Sequence, residues 1–383
     1  MRYYNFFPGF NWRTIFFKHK AIDPILDSGN FHFFGSARKA LFNSLSLLKQ
    51  KGGTILVPSY HCGVEVEAVL QAGFKVQFYP LLKNLEIDLS WIRRNIAQDT
   101  MAILLIHYFG FPQPVNEVCD LCDQLNLVLI EDCAHSLYSC YDNRMLGTFG
   151  DVSIFSIMKT HGVPNGGGVL INNDLILKEK LKTAQKIPVT VSFIKQLVRL
   201  MLEYEMSIGE LRAKMILFLL KIFYHNYYQD LTRPCPSEPI VFMEQPANFF
   251  QEGVPWITRF LLESGLNYDQ IKKRRVRNFK ILLENIHWDD HIRPLFRNCS
   301  DEICPLGLPV LVQNNDSLLD LLSKVQISAF IFGRFPHHVF DSTFTFFQNT
   351  EDFRKRLICL PVHQNLSKEC TIDLAERVNR LKI

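Results

Sequence analysis

From residue 54 onward the chain alternates a short apolar run with a helix-spaced segment, and this rhythm narrows the fold more than any other feature. Thr54-Ile55-Leu56-Val57 is apolar, rich in β-branched residues and closed by Pro58-Ser59. Val64 to Ala72 then carries helical spacing and stops at Gly73. Lys75 to Tyr79, Met101 to His107 and Leu127 to Ile130 read as further strands, with helices over Asp88 to Ile96 and Val115 to Leu125. Strands that are apolar throughout and alternate with helices predict an α/β fold whose parallel sheet is covered on both faces. Ligands of such sheets bind at the carboxyl ends of the strands. Chemistry is therefore expected in the loops that follow them.

Beyond about residue 175 the rhythm breaks. Residues 187–230 read as two amphipathic helices with large apolar faces and Lys/Arg on the other side. Such a pair is a packing or dimerisation element, or an interfacial unit resting on a membrane through 190–228. A loop with Pro234, Pro236, Pro239 and Pro246 follows, and then a basic helix around Lys272 to Asn278. From about residue 305 a smaller α+β module is expected, with a strand at Pro309 to Val312 and helices at Leu318 to Lys324 and Ile372 to Leu381. The expected domains are 1–250, a large sheet domain carrying 185–250 as a helical insert and loop, and 251–383, a small C-terminal α+β domain.

Composition removes several classes. Lys+Arg 42 against Asp+Glu 38 gives +4, too small and too evenly spread for a nucleic-acid binder. A hydrophobic content of 48% excludes disorder. The 32 Phe raise the question of a membrane. A span needs ~20 mostly apolar residues, and the greasiest stretch, Met215 to Tyr228, is broken by Lys221 and His225. The first 20 residues lack the apolar run and cleavage site of a signal peptide. A cytoplasmic location is expected, with membrane association through the insert as its extension, and the 10 Cys are expected as thiols.

Four features fall where the sheet predicts a site. Gly35-Ser36-Ala37-Arg38 opens a helix running to about Leu48, and a helix start with a hydroxyl is a phosphate site or a plain N-cap. Glu131-Asp132-Cys133-Ala134-His135 ends an apolar strand in adjacent acids. A carboxylate there needs a cation or donors, whether structural or functional. Asp151 to Thr160 is an apolar, strand-like run ending in Ser156 and Lys159, followed by Gly166-Gly167-Gly168. Burial would push the lysine amine toward neutrality, and the glycines let backbone pass close to a ligand or another chain. Pro58-Ser59-Tyr60-His61-Cys62 presents two rings that stack on a flat cofactor or fill the core. Together these residues describe a planar, phosphorylated, cationic aldehyde, which is pyridoxal 5′-phosphate.

The order of these segments resembles the DegT-type aminotransferases, fold type I pyridoxal-phosphate enzymes that aminate nucleotide-linked keto sugars. The matching stretches are FGSARKAL, ILVPSYHCGVEVEAVLQAGFKVQFYPL, LLIHYFGFPQPVNEVCDLCDQLNLVLIEDCAHS, LGTFGDVSIFSIMKT and the GGGVLINN strand. Lys159-Thr160 with Pro164, Gly166 and Gly167 resembles a divergent branch reading Lys-Thr-x-x-x-Pro-x-Gly-Gly. The resemblance implies that Lys159 is the Schiff-base lysine and later proton shuttle, and that Asp132 is the partner of the pyridinium nitrogen. It implies phosphate contacts from Ser36, the backbone at Ala37 and Arg38, and Ser156. His135 falls where the family has a Gln near the cofactor's 3-oxygen, and His61 or Cys62 falls at the ring-stacking position. It further implies a homodimer and a transfer of the amino group from an amino acid such as glutamate to a keto sugar or related carbonyl acceptor. The presence of Lys159 disfavours the sugar dehydratases that carry His there. The alternatives are other pyridoxal-phosphate chemistry, a dehydratase or lyase step, and a catalytically silent member that binds a partner or a membrane.

Three further features lie outside these four. Cys119-x-x-Cys122 lies within a predicted helix with no second close pair, so no metal is expected. His107 is expected to be a buried hydrogen-bonding residue. Arg334 is either a clamp for the carboxylate of an amino donor or a solvated surface residue.

Overall fold

The structure, a computed structural model, describes residues 2–16, 22–46, 48, 52–176, 181, 184–185, 187–223, 247–264 and 267–381. The apolar runs become a seven-stranded sheet built from β1 (Phe31–Phe34), β2 (Thr54–Pro58), β3 (Lys75–Tyr79), β4 (Thr100–Ile106), β5 (Val128–Asp132), β6 (Val152–Ser156) and β7 (Gly167–Ile171). Their order is β1-β7-β6-β5-β4-β2-β3. Strands β2 to β6 pair in parallel, whereas β7 runs antiparallel to both β6 and β1. Strand β5 continues past the predicted Ile130 through both acids, because Glu131 and Asp132 keep pairing with Leu105 and Ile106.

Alternation along the strands divides the core. Ile55, Val57, Ala102, Leu104 and Ile130 face one side, with α1 (Ala37–Ser46) and α2 (Val64–Gln71) laid over them through Leu41, Leu45, Val66 and Val69. Leu56, Ile103, Leu105 and Leu129 face the other, under α4 (Val115–Leu125) and its Val115, Val118 and Leu121. The connection between them, α3 (Leu89–Asn95), starts on the Asp88 carboxylate, which accepts the Trp91 N–H at 2.9 Å. After β6 the chain makes a single helical turn, α5 (Ile157–Thr160), before the glycine-rich loop and β7.

The insert forms α6 (Val191–Ile208) and α7 (Glu210–Phe223), a helical hairpin as its periodicity predicts. Its anchorage is the N-terminal arm: Phe10 N donates to Leu200 O at 2.9 Å, and Glu205 pairs with both Arg13 and Arg212. The proline-rich loop lies outside the described residues. The chain then runs through α8 (Ala247–Phe250), α9 (Trp256–Leu262) and α10 (Tyr268–Asn285), which starts on an Asn267/Gln270 capping box. A second sheet follows, antiparallel, of β8 (Ile292–Pro294), β9 (Gly307–Val312) and β10 (Leu357–Pro361). It is packed by α10, α11 (Asn315–Lys324), α12 (Gln348–Arg356) and α13 (Lys368–Asn379).

Candidate active site

Period-two alternation sends the consecutive acids of β5 to opposite faces. Glu131 is fully buried and accepts the N–H groups of Gly147, Phe149 and Gly150 at 2.6–2.9 Å, with His107 Nε2 at 3.1 Å. Burial alone would raise its pKa; the His107 hydrogen bond and the loop amides more than offset this and hold it below the usual carboxylate range. His107 Nδ1 in turn accepts the Gln113 N–H at 3.0 Å, so both ring nitrogens are engaged. Glu131 is thus a scaffold anchor for the 147–150 loop.

Asp132 turns the other way. It is buried, and one oxygen accepts the Ala134 N–H at 2.8 Å while the other makes no hydrogen bond among the described residues. Burial, and then the negative charge of Glu65, push its pKa up to about 7; the Ala134 N–H and the charge of Lys159 pull against them. Lys159 stands on α5, directly after the neighbouring β6, and its ammonium forms no hydrogen bond or ion pair among the described residues. The same positive charge is felt by Cys62 and His135. Asp132, Cys62 and His135 therefore gather within electrostatic reach of Lys159 at the carboxyl edge of the sheet, the candidate pocket.

The turn at Ser36, which follows β1, lies against the lysine loop. Gly167 lies so near that turn that a Cβ there would meet Ala37 N and the Ser36 carbonyl carbon at 2.3 Å, and Gly166 N donates to Gly35 O at 3.1 Å. The lysine loop and the turn at Ser36 are consequently in backbone contact, which explains Gly167; Gly166 has φ +141°, and a Cβ at Gly168 would strike the Phe31 ring. Arg38 is half-buried over the Phe249 ring, its pKa lowered by burial and raised back by Glu67. Ser156 is buried at the end of β6 and its hydroxyl does not cap α5.

Several expected residues sit differently. His61 points away from the pocket: its ring stacks on Phe78, Nδ1 meets Pro58 O at 3.0 Å and Nε2 accepts the His337 N–H at 3.2 Å. Burial brings its pKa down to about 3. Both nitrogens are used, so His61 is a seam residue, and the adjacent Cys62 is the one that faces the pocket. Its thiol is kept protonated by burial and donates to Glu65 at 3.1 Å. Tyr60 is also buried in the seam, donating to Phe332 O at 2.8 Å. His135 stacks on Phe109, whose N–H reaches Nδ1 at 3.5 Å, and packs edge-on against Phe332. Burial keeps its imidazole neutral. Arg334 is held by Asp316 at 2.7 Å, and its neighbour Gly333 packs against the His61 carbonyl, where a Cβ would approach to 2.9 Å.

Sequence reasoning missed Glu65, Arg275 and Gln364. Glu65 follows Cys62 by three residues in the first turn of α2, a spacing that places both on one face. Arg275 and Gln364 carry no local signal, since they reach the lysine turn across more than a hundred residues.

Pyridoxal 5′-phosphate fits this pocket on three counts. Lys159 offers an uncommitted amine, Asp132 keeps one oxygen without a hydrogen bond among the described residues for a ring N–H, and the Ser36–Arg38 turn presents a helix start. The comparisons with known proteins agree with that fit. Across 99% of this chain and 98% of the other, the fold superposes on Helicobacter pylori PseC, an aminotransferase involved in the biosynthesis of pseudoaminic acid, with a TM-score of 0.63 at 17% identity. It also matches Escherichia coli GDP-4-keto-6-deoxy-D-mannose-3-dehydratase with bound hydrated PLP, at a TM-score of 0.62 and 15% identity, covering 97% of this chain and 99% of that one. The architecture is that of the fold type I enzymes. In sequence, the Vibrio cholerae GDP-perosamine synthase is 32% identical over 135 residues, 34% of this chain and 37% of that protein. The match thus spans less than half the length of this curated relative. The model of the DegT/DnrJ/EryC1/StrS aminotransferase family matches residues 31–228. The chain belongs to that family.

Proposed function

We propose that the chain is a pyridoxal-phosphate-dependent aminotransferase that moves an amino group from an amino acid such as glutamate to a nucleotide-linked keto sugar or a related carbonyl acceptor. The observation that carries this is the uncommitted Lys159 amine in one pocket with the buried, half-satisfied Asp132 carboxylate. When bound, the cofactor supplies an electron sink for the bonds at the substrate's amine-bearing carbon. Lys159 would hold its carbonyl end and, once released, carry the proton at that carbon. Asp132 would keep the ring nitrogen protonated. The N–H groups at Ala37 and Arg38, with the Ser36 and Ser156 hydroxyls, would receive the phosphate, and His135 would hydrogen-bond the ring oxygen. Cys62 places a neutral thiol where a stacking ring would be expected. Purified protein incubated with pyridoxal phosphate and then borohydride should carry the cofactor on Lys159. Colourless protein with no adduct sinks the proposal, and a donor and acceptor screen read as loss of visible absorbance identifies the substrates.

The chain is further proposed to divide at about residue 250 into a large and a small domain, and to act as a homodimer in the cytoplasm. Support for the dimer comes from Trp256, 68% exposed in the segment whose Glu252 O accepts the Gly35 N–H beside the phosphate turn. Light scattering of the holoenzyme checks it, with an active monomer as the contrary result. No described helix is long and apolar enough to cross a membrane. Peripheral contact through 190–228 is supported by Leu211, Met215, Phe218, Leu219 and Ile222, which recur at helical spacing on the exposed side of α7 among Lys214 and Lys221. Co-sedimentation with anionic vesicles that survives deletion of that hairpin from a folded protein removes this support.

A further inference from the structure

A helix of one turn cannot satisfy its own carbonyls, since the last four of any helix lack intrahelical partners. That is the situation of α5, which carries Lys159. Its N-terminal side is tied down locally, as Ile157 N and Met158 N both donate to Gly166 O at 3.0 and 3.3 Å. Its C-terminal side is satisfied from far away. Arg275 Nη2 donates to Lys159 O at 3.3 Å and to Thr160 O at 3.1 Å, and Gln364 Nε2 donates to Thr160 O at 2.8 Å. Gln364 Oε1 accepts from Arg275 Nε at 2.9 Å, and Arg275 Nη1 donates to Pro305 O at 3.1 Å.

Arg275 is 1% exposed and pairs with no carboxylate among the described residues. Burying a cation with only carbonyl acceptors is unfavourable, and its pKa is lowered accordingly. The guanidinium offers what a helix-ending backbone cannot: a rigid fork of donors that spans two consecutive carbonyls and braces a third. Both members of the network lie beyond residue 251, on α10 and after β10. The position of the lysine is therefore set by the C-terminal part of the chain as much as by the sheet that carries it.

We propose that Arg275 and Gln364 are a positioning clamp that fixes Lys159 relative to Asp132 by holding the Lys159 and Thr160 carbonyls. The proposal rests on the cofactor assignment above. It implies that a shift of α10 or of the segment after β10 displaces the amine, and a misplacement near 1 Å can cost about a hundredfold in rate.

The experiment uses wild-type holoenzyme, Arg275→Lys and Gln364→Met. Arg275→Lys keeps the charge and loses the fork; Gln364→Met keeps the volume and removes one of the two donors to Thr160. Three readouts are taken: thermal midpoint of the apoprotein, pH midpoint of the visible absorbance of the bound cofactor, and kcat separately from the KM of the amino donor. A clamp predicts kcat lower by about 10- to 100-fold in Arg275→Lys and about 3- to 10-fold in Gln364→Met. Donor KM should stay within about threefold, and the absorbance midpoint should move by at least about half a pH unit. Variants with a lower thermal midpoint but wild-type kcat and absorbance midpoint would overturn the clamp and leave a purely structural role. If Arg275→Lys does not fold, Gln364→Met alone decides by the same criteria. A wild-type protein that fixes no cofactor on Lys159 overturns the cofactor assignment instead, which keeps the two failures distinct.

Discussion

At the scale of single residues, the pocket holds two carboxylates, Asp132 and Glu65, and that has a thermodynamic consequence. Asp132 has its pKa raised to about 7, first by burial and then by Glu65. For an acid raised on folding, the protonated form is favoured by the native state. The contribution is fully present below the unfolded value near 4 and is lost as pH climbs toward 7. Apoprotein stability should therefore fall between about pH 4 and 7, by on the order of 4 kcal/mol. Asp132→Asn should flatten that slope while weakening cofactor binding, and Glu65→Gln should move it to lower pH. Urea melts across the pH range check all three statements, and an Asp132→Asn protein that keeps the full slope refutes the assignment. The placement of Asp132 at a strand end and of Lys159 in the turn after the neighbouring strand was legible in the sequence, because strand ends and following turns are local patterns. The rotation of His61 into the seam was not, since it depends on Phe78, Phe340 and the His337 N–H arriving from elsewhere in the chain.

Among the elements, β7 is the one whose placement the lysine loop depends on. Its first residue, Gly167, lies directly on the Ser36–Ala37 peptide. Gly167→Ala should force the phosphate turn and the lysine loop apart, lowering cofactor affinity at least about tenfold, as a shift of about 1.4 kcal/mol would. Equilibrium dialysis of pyridoxal phosphate against the variant measures it; unchanged affinity would mean the contact is not maintained. A second test concerns β4 and β5. Removing the His107 imidazole leaves the buried Glu131 carboxylate short of a donor, and His107→Ala should cost about 3–5 kcal/mol, read by chemical denaturation. Strands β2 to β7 and several helices were legible because each is a contiguous run, in one case opened by a cap at Asp88; β1, β8 and β10 did not stand out. The antiparallel sense of β7 was not legible, because an apolar run of five residues looks the same in either direction.

For the molecule as a whole, the ends of the chain are joined. Tyr4 is fully buried in the core of the second sheet, bridges to Ile327, and donates through its hydroxyl to Asp373 at 2.6 Å. Arg377 lies over its ring and donates to Arg2 O at 2.8 Å. Tyr4→Ala should destabilise the chain by about 3–5 kcal/mol, the usual cost of truncating a buried aromatic. Calorimetry would show this as a lower transition, and an unchanged midpoint would contradict the packing. No sequence pattern announces such a contact, because Tyr4 and Asp373 are 369 positions apart. The order of synthesis gives this stitch a temporal meaning. Tyr4 is made 369 positions ahead of Asp373, and at about 5–20 residues per second that partner follows on the order of tens of seconds later. Tyr4 is thus among the last residues that can fold into place, although it is made long before its partner.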